Sequence, residues 1–163
     1  MAFGTDFWVL LFMSEDMNDF KTYKITSQEK QGIISAIRDE LEKDGRIVFA
    51  YVYGSFVDPE MEFFRDIDIG IYVKDYRKED WEKYELKLPI ELEKKLSYKY
   101  PLDVKLLNNA EVIFAHNVIC GILLLNKDED IWADYVVYIA KRYNDFYPFW
   151  LHYMKEAVLS EDR

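Results

Sequence analysis

The sequence predicts an α/β domain: a small mixed sheet flanked by helices, with a long helix at its C-terminal end. Three observations carry this. The runs 47–53 (IVFAYVY), 66–74 (DIDIGIYVK) and 102–107 (LDVKLL) are rich in β-branched and apolar residues and have strand length. The stretches between them carry helical spacing or helical composition. The last stretch, from about Asp128 to Leu159, is long enough for one extended helix.

Each element has its own signal. Thr26 with Glu29 makes a capping box that opens a helix, and Ile33, Ile34, Ile37 and Leu41 then line one face. Gly45 is placed to close that helix. Strand 47–53 ends at Gly54-Ser55, a turn pair, and strand 66–74 follows. Residues 78–98 read as helix, with Pro89 expected to kink or restart it. In strand 102–107, Leu102, Val104 and Leu106 share one face and Asp103 and Lys105 the other. A helix is expected from about Ala110 to Ile119, then Gly121 and a short strand at Ile122–Leu125. Pro148 is expected to bend the final helix. With no repeat or linker, the reading is one domain over residues 26–159, preceded by an N-terminal extension over 1–25. In that extension Phe7–Met13 (FWVLLFM) reads as an extra strand or a hydrophobic arm, and translation from Met13 or Met17 is a second reading.

The chemistry concentrates around Gly54-Ser55 and Asp66-Ile67-Asp68. On a strand, Asp66 and Asp68 project from one face with Cα atoms about 6.6–7 Å apart. Two carboxylates so placed repel each other unless a cation lies between them, and burying the pair unpartnered is costly. If strand 102–107 lies alongside, Asp103 joins them, giving three carboxylates for one or two hard divalent ions such as magnesium. Gly54 permits close backbone approach, and Ser55 offers a hydroxyl and an N–H to a triphosphate. A helix beginning there would add its N-terminal amides. The bland readings stand beside these: Gly-Ser is common in turns, and Asp103 next to Lys105 could be a simple exposed strand residue.

Gly54-Ser55, ten residues, Asp66-Ile67-Asp68 and then Asp103 on a later strand resemble the nucleotidyltransferases of the DNA polymerase β type. The downstream stretch LLNNAEVIFAHNVICGILLLNKDED, and the run Tyr143-Asn144-Asp145-Phe146 in RYNDFYPFWLHYMKEA, are similar to the minimal nucleotidyltransferases. These are the antitoxin partners of HEPN toxins. The resemblance covers roughly residues 28–155 and implies the polymerase β-type fold. It also implies transfer of AMP from ATP to a hydroxyl, typically a tyrosine, of the HEPN partner (AMPylation). Under it, Asp66 and Asp68 hold Mg²⁺, Asp103 completes the catalytic and metal site and helps deprotonate the acceptor, and Gly54 and Ser55 grip the triphosphate. Where relatives carry basic residues shortly after Gly-Ser, this chain has Phe56, Val57, Asp58, Pro59 and Glu60. Arg65, directly before the paired aspartates, is the candidate to compensate.

Composition narrows the partners. A formal charge of −10 over 163 residues argues against a broad nucleic-acid footprint and favours a basic protein surface. One cysteine, Cys120, excludes an intramolecular disulfide, fits a reducing cytoplasm, and reads as a small buried residue. His116 and His152 are too far apart in sequence to form a motif. No apolar run approaches the length of a membrane helix. The final helix carries Tyr135, Tyr138, Tyr143, Phe146, Tyr147, Phe149, Trp150 and Tyr153, more rings than one core stripe needs, so an interface with a partner or a second copy is expected there. Two alternatives remain: an antitoxin that acts by contact alone, kept open by the acidic loop 58–62, and a transferase for a small molecule.

Overall fold

The structure, a computed structural model, describes residues 21–160. Helix α1 (Ser27–Leu41) opens on the expected box: Glu29 N–H donates to Thr26 Oγ1 and Thr26 N–H to Glu29 Oε2. Ile33, Ile34, Ile37 and Leu41 are its buried face. The helix ends at Glu42, ahead of Gly45, which lies instead in the turn leading to β1 (Ile47–Tyr53). β2 runs over Ile67–Val73, so Asp66 sits just outside the strand that was expected to contain it. No helix begins at Ser55, because residues 54–58 form a turn in which Val57 and Asp58 N–H both donate to the Gly54 carbonyl.

A π-helical turn (Glu82–Lys87) runs directly into α2 (Leu88–Lys95), and Pro89, which has no N–H to give to the preceding turn, lies where the π-helical pattern gives way to the α-helical one. β3 (Leu102–Leu106), α3 (Val112–Ile119), β4 (Ile122–Asn126) and α4 (Glu129–Ser160) follow. Pro148 lies inside α4 without ending it.

The four strands are ordered β3-β2-β1-β4, with β2 and β3 parallel and β1 antiparallel to both neighbours. This is the mixed sheet the sequence predicts. The period-two alternation sorts its faces. Ala50, Val52, Ile67, Ile69, Ile71, Val104 and Leu106 belong to the larger core, with α1, α2 and Tyr84. Phe49, Tyr51, Tyr72 and Leu107 face the other way, against α3 and the start of α4 through Val118, Trp132 and Tyr135. At Gly70 a Cβ would collide with Val118, so this glycine lets α3 seat on the sheet. An isolated bridge, Tyr23 to Phe64, ties the segment before α1 to the loop after β1. Phe7–Met13 lies outside the described residues. Among the described residues, no helix is long and apolar enough to cross a membrane.

Candidate active site

The carboxylates meet at one end of the sheet, where β1 finishes and β2 and β3 begin. Asp68 is the second residue of β2 and its register partner across the parallel ladder is Asp103, the second residue of β3. On its other side Asp68 pairs with Tyr53, the last residue of β1. In-register neighbours share a face, so the two carboxylates and the Tyr53 ring point the same way. Asp66, in the bend before β2, completes the group, and all three aspartates are half-buried.

The electrostatics record the crowding. Burial, then the charges of Asp66 and Asp103, push the Asp68 carboxyl up to about 6, while Arg65 and Lys105 pull it back. The Tyr53 hydroxyl is raised by burial and then by Asp68, Asp103 and Asp66. Lys105 Nζ lies 3.1 Å from Asp103 Oδ1. A cluster of oxygen-only, like-charged ligands is the donor set that a hard divalent cation fits. Among the described residues, no group of three or more His, Cys, Asp or Glu is disposed to hold an ion by itself. An ion placed there would draw only part of its coordination shell from the trio and the rest from waters or substrate, a sharing that magnesium tolerates.

Gly54 is fitted to this corner. Its φ of +76° lies in the left-handed region, and a Cβ there would stand 2.6 Å from Asp68 Oδ2. The glycine thus turns the chain out of β1 while letting the backbone rest against the carboxylate. Ser55 follows, half-buried, and lines a cavity of about 300 Å³ together with Lys24 and Lys30. Those two lysines escape sequence reasoning, because they are distant in the chain from Ser55 and tertiary contacts, the Tyr23–Phe64 bridge among them, bring their segment to the loop. Tyr53 was missed as well, since at the end of an apolar run it reads as core.

The remaining sequence candidates lie elsewhere. His116 stacks on Tyr143 with ring centroids 3.6 Å apart, and His152 pairs with Glu156 at 3.6 Å, so both have structural partners. Cys120 is exposed rather than buried: it caps the C-terminus of α3, where the chain turns back into β4 at the rim of the core. The aromatic helix divides in two. Trp132 and Tyr135 pack on the sheet, whereas Phe149 and Tyr153 are 74% and 71% exposed. A groove of about 760 Å³ runs between the start of α3 and this outer half, lined by Val112, Ile113, Arg142, Phe146 and Phe149 among others.

The fold is found in known proteins. The family model for "Polymerase beta, Nucleotidyltransferase" matches residues 35–130, which include the Gly-Ser turn and all three aspartates. No curated protein sequence matches the chain. Among solved structures, it is similar to a chain of a tri-AMPylated Shewanella oneidensis HEPN toxin in complex with MNT antitoxin. That match has 17% identity over 81% of this chain and 97% of that chain, with a TM-score of 0.55. A chain of the toxin-antitoxin MntA-HepT gives 17% identity, 83% and 97% coverage and a TM-score of 0.51. A toxin-antitoxin with AMP-PNP gives 18%, 81% and 96%, and 0.54. Identities this low establish a common fold. With its motif residues inside the matched region and its strands in this order, the chain belongs to the polymerase beta nucleotidyltransferase family.

Proposed function

We propose that this chain transfers AMP from ATP to a tyrosine hydroxyl of a HEPN-type toxin and so acts as its cytoplasmic antitoxin. The observation that carries the reading is Asp68 set in register against Asp103, with Gly54 packed on the Asp68 carboxylate. The fold is shared with chains from toxin–antitoxin complexes, one containing a tri-AMPylated HEPN toxin and another AMP-PNP.

Asp66, Asp68 and Asp103 would hold magnesium, which when bound supplies neutralisation of the triphosphate and of the oxygens entering and leaving phosphorus. Gly54 leaves room for the phosphate chain, Ser55 donates its hydroxyl to it, and Arg65 adds positive charge beside Asp68. The acceptor's phenolic oxygen bonds to the α-phosphorus as the bond from that phosphorus to the bridging oxygen breaks. Pyrophosphate leaves, and the phenolic proton passes to the Asp103 carboxylate. The outer half of α4 is the docking surface, because Phe146, Phe149 and Tyr153 stand exposed along one stripe.

One observation favours a second reading, inhibition by contact alone: Asp58, Glu60 and Glu62 make the loop after Ser55 acidic. The two readings part in one experiment. A trace of this chain with ATP and Mg²⁺ is incubated with excess HEPN partner, and the partner is weighed by mass spectrometry. An added AMP on tyrosine, and a partner that stays inactive once this chain is removed, is the expected result. Unchanged mass with full inhibition at stoichiometric protein would decide for contact alone.

A further inference from the structure

The loop that follows Ser55 brings no cation to the phosphates, yet the cavity beside Ser55 is not without positive charge. Lys30, in the first turns of α1, lines it and is half-buried, with Nζ 5.5 Å from the centroid of the Phe56 ring. Among the described residues Lys30 has no carboxylate partner. Lys24 lines the same cavity but is engaged, with Nζ 3.3 Å from Glu62 Oε2. Asp58, also at the cavity, is occupied by its own loop, its Oδ1 accepting from Glu60 N–H at 2.9 Å. The cation left without a carboxylate partner in the cavity that Ser55 lines is therefore Lys30. A lysine without a carboxylate partner in the same cavity as Ser55, the residue that follows the glycine packed on Asp68, is complementary to an anion that reaches beyond the carboxylates. The distal phosphates of a nucleoside triphosphate are such an anion.

We propose that Lys30 is the seat of the β- and γ-phosphates of ATP, with Lys24 as a second cation held in reserve by Glu62. The positive charge absent after Ser55 is thus supplied from a different element, helix α1, across the Tyr23–Phe64 bridge. This rests on the nucleotide-transfer reading above. It predicts discrimination between ATP and AMP, since AMP has no phosphate long enough to reach Lys30.

The test is equilibrium binding of MgATP, AMP and inorganic tripolyphosphate to the full chain and to Lys30→Gln, Lys30→Arg and Glu62→Gln. Lys30→Gln should weaken MgATP and tripolyphosphate about tenfold while leaving AMP unchanged, the loss of one charge-assisted contact. Lys30→Arg should restore most of the affinity. Glu62→Gln, which releases Lys24, should tighten MgATP about two- to fivefold. Unchanged MgATP affinity in Lys30→Gln, or an equal loss for AMP, overturns the assignment while leaving the transfer reading standing. No MgATP binding by the unaltered chain would overturn both. Thermal melts of Lys30→Gln and Lys30→Arg at the unaltered chain's midpoint keep the comparison free of folding defects.

Discussion

Gly54 shows how much can depend on one missing side chain. Gly54→Ala sets a Cβ 2.6 Å from Asp68 Oδ2 at a φ of +76°, so the carboxylate must move or the turn must open. The backbone penalty is about 1–2 kcal/mol, which a domain with this core absorbs. A displacement of about 1 Å at a reacting centre costs about a hundredfold in rate. The expected outcome is a folded protein by urea denaturation whose single-turnover AMP transfer is down by about that factor. Asp66→Ala or Asp68→Ala should abolish transfer outright, and normal transfer by the double variant would refute the carboxylate mechanism. Ser55→Ala removes one hydrogen bond to a charged oxygen, worth about 1.5–3 kcal/mol, so about a ten- to hundredfold loss is expected, smaller than for Asp68. Asp68 also has a stability signature. Its folded carboxyl is raised to about 6, above its unfolded value, so it binds its proton more tightly when folded. That contribution is present at pH below about 4 and lost as pH rises through about 6. Asp68→Asn should therefore raise the melting temperature of the metal-free protein at pH 8 and not at pH 4.

Between elements, the clearest clamp is Arg46 with Asp80. Arg46 leads into β1, and its Nη1 and Nη2 meet the two Asp80 oxygens at 2.7 Å each, while Arg77 N–H donates to Asp80 Oδ2 at 2.7 Å. Asp80 is only 7% exposed, so the pair fixes the start of β1 to the segment entering the π-helical turn. Arg46 foremost holds the Asp80 carboxyl down to about 2, below its unfolded value. The sign is therefore opposite to that of Asp68: the stabilisation, about 2 kcal/mol, is complete above about pH 5 and disappears as pH falls toward 2. Asp80→Asn should lower stability at pH 7 by about that amount and make little difference at pH 2, as read by guanidinium denaturation across pH. The strands, the capping box and the restart at Pro89 were legible because each is written locally, in periodicity or in cap chemistry. The meeting of Asp68 and Asp103 was legible because each lies in a strand whose alternation sets its face. What depends on tertiary placement was not legible. Lys30 comes to the cavity of Ser55 only through tertiary packing, Asp66 falls outside its strand by one position, and Cys120 is exposed where α3 ends.

At the scale of the molecule, the described body divides its labour between the two ends of α4. The first half completes the core and the second carries exposed rings, Phe146, Phe149 and Tyr153, beside a groove that reaches α3. The net charge of −10 on the chain as a whole suits a basic partner. Phe149→Glu with Tyr153→Glu should leave the melting temperature unchanged and weaken partner binding by about 2 kcal/mol or more, measured by titration calorimetry. Tight binding by this variant would move the interface elsewhere.

Pro148 gives that outer half a further property. Proline has no N–H, so the carbonyl of Asn144, one turn earlier, loses its donor within the helix, and the ring crowds it. The cooperative ladder of α4 is therefore interrupted within its exposed outer half. Amide hydrogens beyond Pro148 should exchange with deuterium much faster than those of Trp132 to Tyr143, because opening them exposes no buried packing. A docked partner would suppress that exchange while barely altering the rest of the domain. The distal segment would then be a recognition arm that reaches its full order in the complex, with part of the binding free energy consumed in ordering it.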